Sequence, residues 1–342
     1  MIGYSDSGMR PDDGSFSVGV AEQPLPFEID RNAPVVVTGA AGLVGTEVCK
    51  QLVADGWKVR AIVRDAAKAV TRFGNLSLEI RVSDIRNGDS MRAALTGAGA
   101  LVHLAAIAIE RPGQTYDEVN TEATRILLDA ASAAGVDRII YMSQNGADSS
   151  SPYAFLRSKG RAQDMVKASS LRWTILRPSV IFGPDDEFVN VLARMVRLSP
   201  FVFPLPGGGR ARFQPIAVGD VARAVAKTLS DPRSTGQSYA LGGPTPLTLR
   251  QMTERILIAM GTSRKLISAP VSAIRPLVAA AQKLLPSPPV TTSLLDLLEI
   301  DNVIEQNDLI ASLGISPTPF APEELLYLRN ITAGGAFKSL FK

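Results

Sequence analysis

Two hydrophobic rhythms alternate along this chain. From Pro34 onward, short unbroken apolar runs such as Val35-Val36-Val37 give way to stretches whose apolar residues recur every three or four positions. Leu43, Val44, Val48, Leu52 and Val53 are the first such set. The unbroken run predicts a strand buried on both faces, and the 3.6-residue period predicts an amphipathic helix. The pattern repeats, with strands expected at 58–63, 77–82, 100–104, 138–143 and 173–176. Helices are expected from Leu43 to a stop at Gly56, at 90–95, at 116–134 with a stop at Gly135, and at 155–168. Strands separated by helices imply right-handed crossovers and a parallel sheet, hence a doubly wound α/β domain over roughly 34–180.

Beyond Arg177 the rhythm breaks at Pro178, Gly183-Pro184, Pro204, Pro206 and Gly207-Gly208-Gly209. A helix at 221–229 is expected to return to the main sheet. From about Thr248 the chain reads as mostly helical, interrupted at Pro286, Pro288 and Pro289. Residues 1–33 show weak periodicity and read as an extended arm. The expected organisation is therefore an arm (1–33), a principal domain with returning elements (34–247) and a smaller, mainly helical C-terminal region (248–342).

Composition narrows the function classes. Of 342 residues, 46% are hydrophobic and 20% charged, which excludes a disordered chain, and a net charge of +3 gives no reason to expect a nucleic-acid partner. A single cysteine, Cys49, permits no internal disulfide, and one histidine with one cysteine cannot build the usual nitrogen–sulfur zinc site. A Ser-His-Asp hydrolase would have to use His103, which lies in an apolar run. No stretch reaches the ~18 apolar residues that span a bilayer. The early acids Asp6, Asp12, Asp13, Glu22, Glu28 and Asp30 fit neither a secretory signal nor a mitochondrial presequence. The expected location is thus cytosolic, or on a membrane approached from that side.

The strongest local signal is Thr38-Gly39-Ala40-Ala41-Gly42-Leu43-Val44-Gly45, directly after the first strand and opening the first helix. In such a loop Gly39 makes the tight turn, Gly42 lets a pyrophosphate approach the backbone, and Gly45 lets helix and strand pack closely. The helix N-terminus offers free N–H groups and partial positive charge to the anion. The bland alternative is an ordinary tight turn. At the end of the second strand stands Arg64, where an acid would accept from the ribose hydroxyls of NAD. A guanidinium there suits a 2′-phosphate and favours NADP(H) over NAD(H), unless Asp65 pairs with it. Asp84 is placed either to meet an adenine amino group or to cap a helix. His103 reads as a packed, hydrogen-bonded core histidine rather than a catalytic base.

These segments resemble the short-chain dehydrogenase/reductase superfamily in its extended and atypical branch. The resemblance is carried by Thr38–Gly45, Asp84-Ile85, His103-Leu104-Ala105-Ala106, Asn120, Ser143, Ser158-Lys159 and the run from Leu176 to Pro184. Within that branch the chain is similar to the alpha-subcomplex-subunit-nine family, NAD(P)H-binding accessory subunits of respiratory complex I and their bacterial relatives. That likeness rests on Pro204–Arg210, Phe213–Ile216, Val218–Ala222, Leu241–Pro244, Pro288–Thr291 and Asp301-Asn302. The resemblance implies a Rossmann-type fold. It also implies cofactor contacts at Thr38, Gly39, Ala41, Gly42, Leu43, Val44, Gly45, Arg64, Asp84, Ile85, Leu104, Ala105, Ala106, Ser143, Lys159, Pro178, Ser179 and Val180.

The superfamily's chemistry uses Tyr-x-x-x-Lys, which places both side chains on one helix face; lysine lowers the tyrosine pKa and tyrosine moves the proton. Four residues before Lys159 stands Phe155, which has no proton to give. Tyr153 lies two residues earlier and can serve only if the chain before the helix turns out of helical register; the candidate catalytic pair is then Tyr153 with Lys159. The hydroxyl expected just after Ser143 is replaced by Gln144 and Asn145. Arg210 and Arg212, beside three glycines, read either as holders of an anionic substrate or as solvated arginines on a mobile loop.

At 269–285, Val271, Ile274, Leu277, Val278, Ala281, Leu284 and Leu285 form an apolar stripe with only Arg275 and Lys283 as charges. The stripe suits either packing on its own domain or a membrane surface or partner groove, and the apolar, basic tail 337–342 invites the second reading too. The expected function is an NADPH-binding, dehydrogenase-like accessory or assembly subunit of complex I, or of another membrane-associated assembly, with little catalysis of its own. It would sit on the cytoplasmic face of a bacterial inner membrane or the matrix side in mitochondria. The alternative is a free NAD(P)H-dependent oxidoreductase or epimerase acting on a quinone-like, isoprenoid or sugar-nucleotide substrate.

Overall fold

The computed structural model describes residue 3 and residues 28–341 except 286, 287 and 289. Most of the expected N-terminal arm lies outside the described residues, as does Lys342 of the tail. The first half alternates strand and helix: β1 (Val35–Thr38), α1 (Leu43–Ala54), β2 (Val59–Val63), α2 (Ala66–Phe73), β3 (Glu79–Val82), α3 (Gly88–Leu95), β4 (Ala100–His103), α4 (Ala123–Ala133), β5 (Arg138–Met142), α5 (Ala154–Ala168) and β6 (Arg172–Pro178). The later elements are β7 (Ile181–Phe182), α6 (Val189–Leu198), β8 (Val202–Pro206), β9 (Arg212–Phe213), β10 (Ile216–Ala217), α7 (Val218–Ser230) and β11 (Gln237–Leu241). They continue with β12 (Leu247–Thr248), α8 (Leu249–Ala259), β13 (Lys265–Ala269), α9 (Val271–Leu284), α10 (Thr292–Leu297), α11 (Asp308–Ala311) and α12 (Ala333–Lys338).

Among the described residues, seven strands form one parallel sheet in the order β11-β6-β5-β4-β1-β2-β3. Chain order reverses between β1 and β4, and ligands of open α/β sheets bind at such a switch point, outside the strands' carboxyl ends. The wholly apolar runs occupy the centre. β1, β4 and β5 are buried along their whole length, as strands covered by helices on both faces must be. One face carries a core with Val48, Leu52, Val221 and Val225; the other carries Met91, Leu101, Leu127 and Ile139.

Several elements differ from expectation. The helix expected at 116–134 opens as a π-helical turn, Asp117–Glu122, before α4 begins. Helix α2 was not expected; its register is carried only by Ala69 and Phe73, an apolar pair at i and i+4. The helix expected at 221–229 is α7, which does return to the main sheet, packing on one of its faces beside α1, and it is followed by an unexpected edge strand, β11. The C-terminal region is less helical than expected, because Lys265–Ala269 is a strand paired in parallel with β8. A third core joins Phe182, Leu192 and Phe203 to Leu249, Ile256 and Phe320, so residues from both sides of position 247 build it.

Arg138 ties the amino end of the sheet to α7. Its guanidinium, 1% exposed, donates to the carbonyls of Ile139, Arg172 and Thr228 and to the hydroxyls of Thr174 and Ser234. Burial lowers its pKa to about 10. Satisfying so many donors is what makes a buried guanidinium tolerable.

Candidate functional site

The glycine loop sits at the switch point, between the carboxyl ends of β1 and β4. Gly39 has φ +68°, a conformation that L side chains resist, and a Cβ there would fall 2.8 Å from the Ala105 nitrogen. At Gly45 a Cβ would lie 2.2 Å from the Gly39 oxygen, so helix and loop touch backbone to backbone. Gly42 is exposed, and a Cβ on it would meet only the Gly39 oxygen, at 3.2 Å. Gly42 also occupies the N-cap of α1, with no side-chain cap and no acid in the first turn. The N–H groups that helix geometry leaves unbonded there are therefore free for an anion. Of the other expected contacts, Leu43, Val44, Ala41 and Leu104 are half-buried, and Thr38 and Ile85 are buried.

Arg64 is exposed at the carboxyl end of β2 and has no ion-pair partner among the described residues. Asp65 does not pair with it. Its carboxylate instead caps α2, accepting from the N–H groups of Ala67 (2.9 Å) and Lys68 (3.1 Å). Asp84 is not the cap of α3, a role taken by Asn87. Asp84 is gripped by Arg86, whose Nη2 donates to Oδ2 at 2.7 Å and whose Nε and backbone N–H donate to Oδ1. These bonds hold the Asp84 pKa below the usual carboxylate value, and the nearby Arg64 charge adds to the effect.

His103 is buried between two hydroxyls, Thr38 Oγ1 at 2.8 Å from Nδ1 and Thr124 Oγ1 at 3.0 Å from Nε2. Burial first, and the Lys159 charge second, lower its pKa to about 3, so the ring is neutral. Neighbouring Lys159 is 4% exposed. Its Nζ donates to the Met142 carbonyl at 2.7 Å and stands 4.6 Å from the centre of the Tyr141 ring. No carboxylate pairs with this ammonium among the described residues, and burial lowers its pKa to about 7. Beside Met142, the buried Ser143 Oγ has no hydrogen-bond partner.

Helix α5 begins at Ala154, so Phe155 and Lys159 lie one helical turn apart on one face. The Phe155 ring packs against Tyr116, centroids 5.7 Å apart, and the buried Tyr116 hydroxyl donates to the Ala108 carbonyl. Tyr153 precedes the helix with extended backbone (φ −83°, ψ 117°), outside the helical register of Lys159. Arg157, four residues after Tyr153, turns back to the Ser151 and Pro152 carbonyls. Asn120, in the π-helical turn, brackets Ile107 N–H and C=O and donates to Ser158 Oγ.

The structure does not leave every candidate free. Arg212 is held by Asp301, which accepts from its Nε (2.9 Å), Nη2 (2.6 Å) and backbone N–H (2.8 Å), so its fork is already occupied by a carboxylate. Arg210 remains exposed and unpaired with any carboxylate among the described residues. Ser179 is turned inward: its hydroxyl donates to the Asn302 carbonyl and its N–H to the Leu241 carbonyl. Pro178 and Val180 accept through their carbonyls from the N–H groups of Asn145 and Ile216. Ala106 is exposed beside the half-buried Ala105.

A segment that the sequence singled out only through Asp301-Asn302, as a carrier of the resemblance, closes the neighbouring strand ends. Asn145 donates to Asn302 Oδ1 and the Val303 carbonyl, and Asn307 bonds the Gly242 and Gly243 backbones. Asp220 binds Thr318 through its N–H (2.6 Å) and hydroxyl (3.0 Å). Beyond that pair, only a dense supply of Asn and Asp in 301–308 hinted at this strap.

The uncapped helix, the glycine cradle and the orphaned Ser143 hydroxyl fit a dinucleotide laid from α1 toward β5. Comparison with known proteins agrees, since a model of the NAD(P)H-binding family matches residues 39–232. The chain belongs to that family. The NADH dehydrogenase (ubiquinone) 1 alpha subcomplex subunit 9 of Arabidopsis thaliana mitochondria is 32% identical over 224 residues. That match covers 64% of this chain and 56% of the plant protein, so it spans little more than half of that relative. The same-named subunit of Mus musculus is 29% identical over 305 residues, 86% of this chain and 79% of that one. Among solved structures, an NADPH-dependent quinone oxidoreductase from Escherichia coli, complexed with NADPH, superposes with a TM-score of 0.70 at 21% identity. It covers 86% of this chain and 100% of that one, which shows a shared fold. The resemblance read from Thr38–Gly45 and Leu176–Pro184 is thereby borne out, as is the Rossmann-type sheet.

Proposed function

We propose that this NAD(P)H-binding protein holds NADP(H) as a structural ligand and serves as an accessory or assembly subunit of respiratory complex I, with little catalysis of its own. One observation carries the non-catalytic half: at the position one turn before Lys159, where a proton donor belongs, Phe155 is packed against Tyr116. Its ring can exclude water but cannot transfer a proton. When bound, the nicotinamide nucleotide supplies hydride chemistry. The residues here supply a pyrophosphate cradle (Gly39, Gly42, Gly45 and the start of α1), a neutral floor (His103) and a buried cation (Lys159) beside an unpaired hydroxyl (Ser143). The exposed Arg64, left free because Asp65 caps α2, favours the 2′-phosphate form of the cofactor.

The subunit assignment draws on the relatives, whose names place them in NADH dehydrogenase. This reading puts the protein on the cytoplasmic face of the membrane in a bacterium or the matrix side in mitochondria, and none of the described helices is long and apolar enough to cross a membrane. Blue-native separation of mildly solubilised source membranes tests the assignment. The endogenous protein is expected to migrate with a large assembly that has NADH–quinone activity. Migration only as a free monomer or dimer would overturn it.

A second reading has one observation in its favour. Tyr153 stands out of helical register, half-buried at the mouth of α5, where it could serve a free oxidoreductase or epimerase as proton donor. A Tyr153→Phe variant that keeps whatever NADPH turnover the protein has would dispose of it.

A further inference from the structure

Two long stretches of this chain contain no aspartate or glutamate. Residues 188–219 carry Arg194, Arg197, Arg210 and Arg212, and residues 255–295 carry Arg255, Arg264, Lys265, Arg275 and Lys283. Nine cations and no acid are thus concentrated in two segments of a chain whose net charge is only +3. The segments are far apart in sequence, and the fold joins them side by side: β8 and β13 pair in parallel with Val202 opposite Lys265 and Pro204 opposite Ile267.

The pleat of that ribbon sorts its residues by face. Phe203 and Leu205 point into the third core, whereas Val202, Pro204, Lys265 and Ile267 are exposed. Phe201, just before the ribbon, is 81% exposed, an unusual position for a phenylalanine. Gly208, in the turn after β8, lies against Ser268 of β13 and close to the Arg210 guanidinium, so that cation borders the same ribbon. Lys265, Lys283 and Arg210 are all exposed, and none pairs with a carboxylate among the described residues.

Helix α9 follows β13 after Pro270 alone. Only Val271 of the helix is buried. Ala273, Leu277, Ala280 and Leu284 recur at spacings of four, three and four, hence form one stripe, and all four are exposed; Leu277 is 72% and Leu284 80% exposed. The helix is held from its other side by polar ties to the neighbourhood of α10. Arg275 pairs with Asp296, and the Thr292 N–H donates to Gln282. The bland expectation, that this stripe packs on its own domain, does not describe the outward half of the helix.

An apolar stripe and an exposed aromatic ring, bordered by unpaired cations in acid-free segments, match an interface with apolar interior and anionic rim. We propose that the β8–β13 ribbon and helix α9 form a docking face for the surface of a bilayer containing anionic lipid. Phe201, Leu277 and Leu284 enter the acyl boundary, while Lys265, Lys283 and Arg210 meet headgroup phosphates. The face lies outside the nucleotide site and does not depend on the subunit assignment, since it is a property of the isolated chain.

Co-sedimentation of the purified full chain with vesicles tests it directly. Vesicles of phosphatidylcholine with about a third phosphatidylglycerol are expected to bind the protein, and vesicles of phosphatidylcholine alone to bind it at least tenfold less. High salt should weaken binding, because the Debye length falls from about 10 Å at 0.1 M to about 3 Å at 1 M. The double variant Leu277→Glu/Leu284→Glu and the charge variant Lys265→Glu/Lys283→Glu should each lose most of the binding. All four positions are exposed, so thermal stability and NADPH affinity should stay at the parent values, which separates a lost surface from a lost fold. Failure of the parent chain to sediment with anionic vesicles would overturn the proposal, as would undiminished binding by both double variants. If only an acidic protein partner, and no vesicle, is bound in a manner sensitive to these substitutions, the face is a protein interface and the lipid assignment is wrong.

Discussion

The Nζ of Lys159 lies 2.7 Å from the Met142 carbonyl oxygen, turned toward the end of β5. Its helix neighbour Phe155 occupies the position from which a tyrosine would reach the same region. The lysine of the expected catalytic pair is therefore present and buried, while its proton-transferring partner is replaced by a ring that packs on Tyr116.

Burial lowers the Lys159 pKa to about 7, against an ordinary value of 10.5. Between these values the unfolded chain holds a proton that the folded chain has released, so folded stability rises with pH over that window. The cost of burying the ammonium is fully present below pH 7 and is relieved as pH climbs toward 10.5. Thermal melts of the cofactor-free protein should show Tm rising from pH 7 to pH 9. In Lys159→Met that rise should be largely lost, and equal slopes in both proteins would contradict the assignment.

Arg64 tests cofactor choice. Charged hydrogen bonds contribute about 1.5–3 kcal/mol, so Arg64→Ala should weaken NADPH by roughly 10- to 100-fold while leaving NADH within about threefold. Fluorescence titration with both nucleotides measures the two losses, and equal losses would remove the 2′-phosphate argument.

Gly45 admits no side chain, because a Cβ would lie 2.2 Å from the Gly39 carbonyl oxygen, a backbone atom with nowhere to go. Gly45→Ala should cost about 2–3 kcal/mol and abolish measurable nucleotide binding. Gly219→Ala is the control. A Cβ at that helical position meets nothing within 4 Å, and the change should be neutral or slightly stabilising in a denaturant titration.

Asp220 is wholly buried and holds the Thr318 N–H and hydroxyl as well as Arg223. Asp220→Ala leaves those donors without their acceptor and should cost about 1–3 kcal/mol. The loss should appear first as faster proteolysis within 301–318, the strap that this carboxylate ties down, before global unfolding is affected.

Much of the fold could be read from residue order. The apolar runs 35–37, 100–102 and 139–142 of β1, β4 and β5 sit at the centre of the sheet, so their burial was legible without any contact being known. Helix α2 was not, since only Ala69 and Phe73 of its eight residues are buried, too short a pair to mark a helix before its contacts are known. Strand β11, Gln237–Leu241, was missed because an edge strand carries exposed polar residues and lacks the buried run that marks a central one. The π-helical turn was also hidden, since its start shares its periodicity with the α-helix it opens.

The site divides in the same way. Gly39, Gly42, Gly45 and Lys159 announce themselves by spacing, because backbone approach and helical register are set by distance along the chain. Asp65, Arg212 and Asp301 do not, because whether a charge is free depends on which partner the tertiary structure brings to it. Asp65 became a helix cap, Arg212 was neutralised across 89 positions, and Arg64 was left exposed.

What the sequence alone determined is the local chemistry: the glycine turn into α1, the alternation of buried strand and amphipathic helix, and the absence of a tyrosine four residues before Lys159. Each depends on neighbours within a turn or two of backbone. Tertiary structure decided the rest. It chose which charges are paired, drew the 301–318 strap over the strand ends, and set the acid-free segments 188–219 and 255–295 against each other through β8 and β13. Those are long-range pairings, fixed by how whole elements pack, and no window of sequence contains both partners.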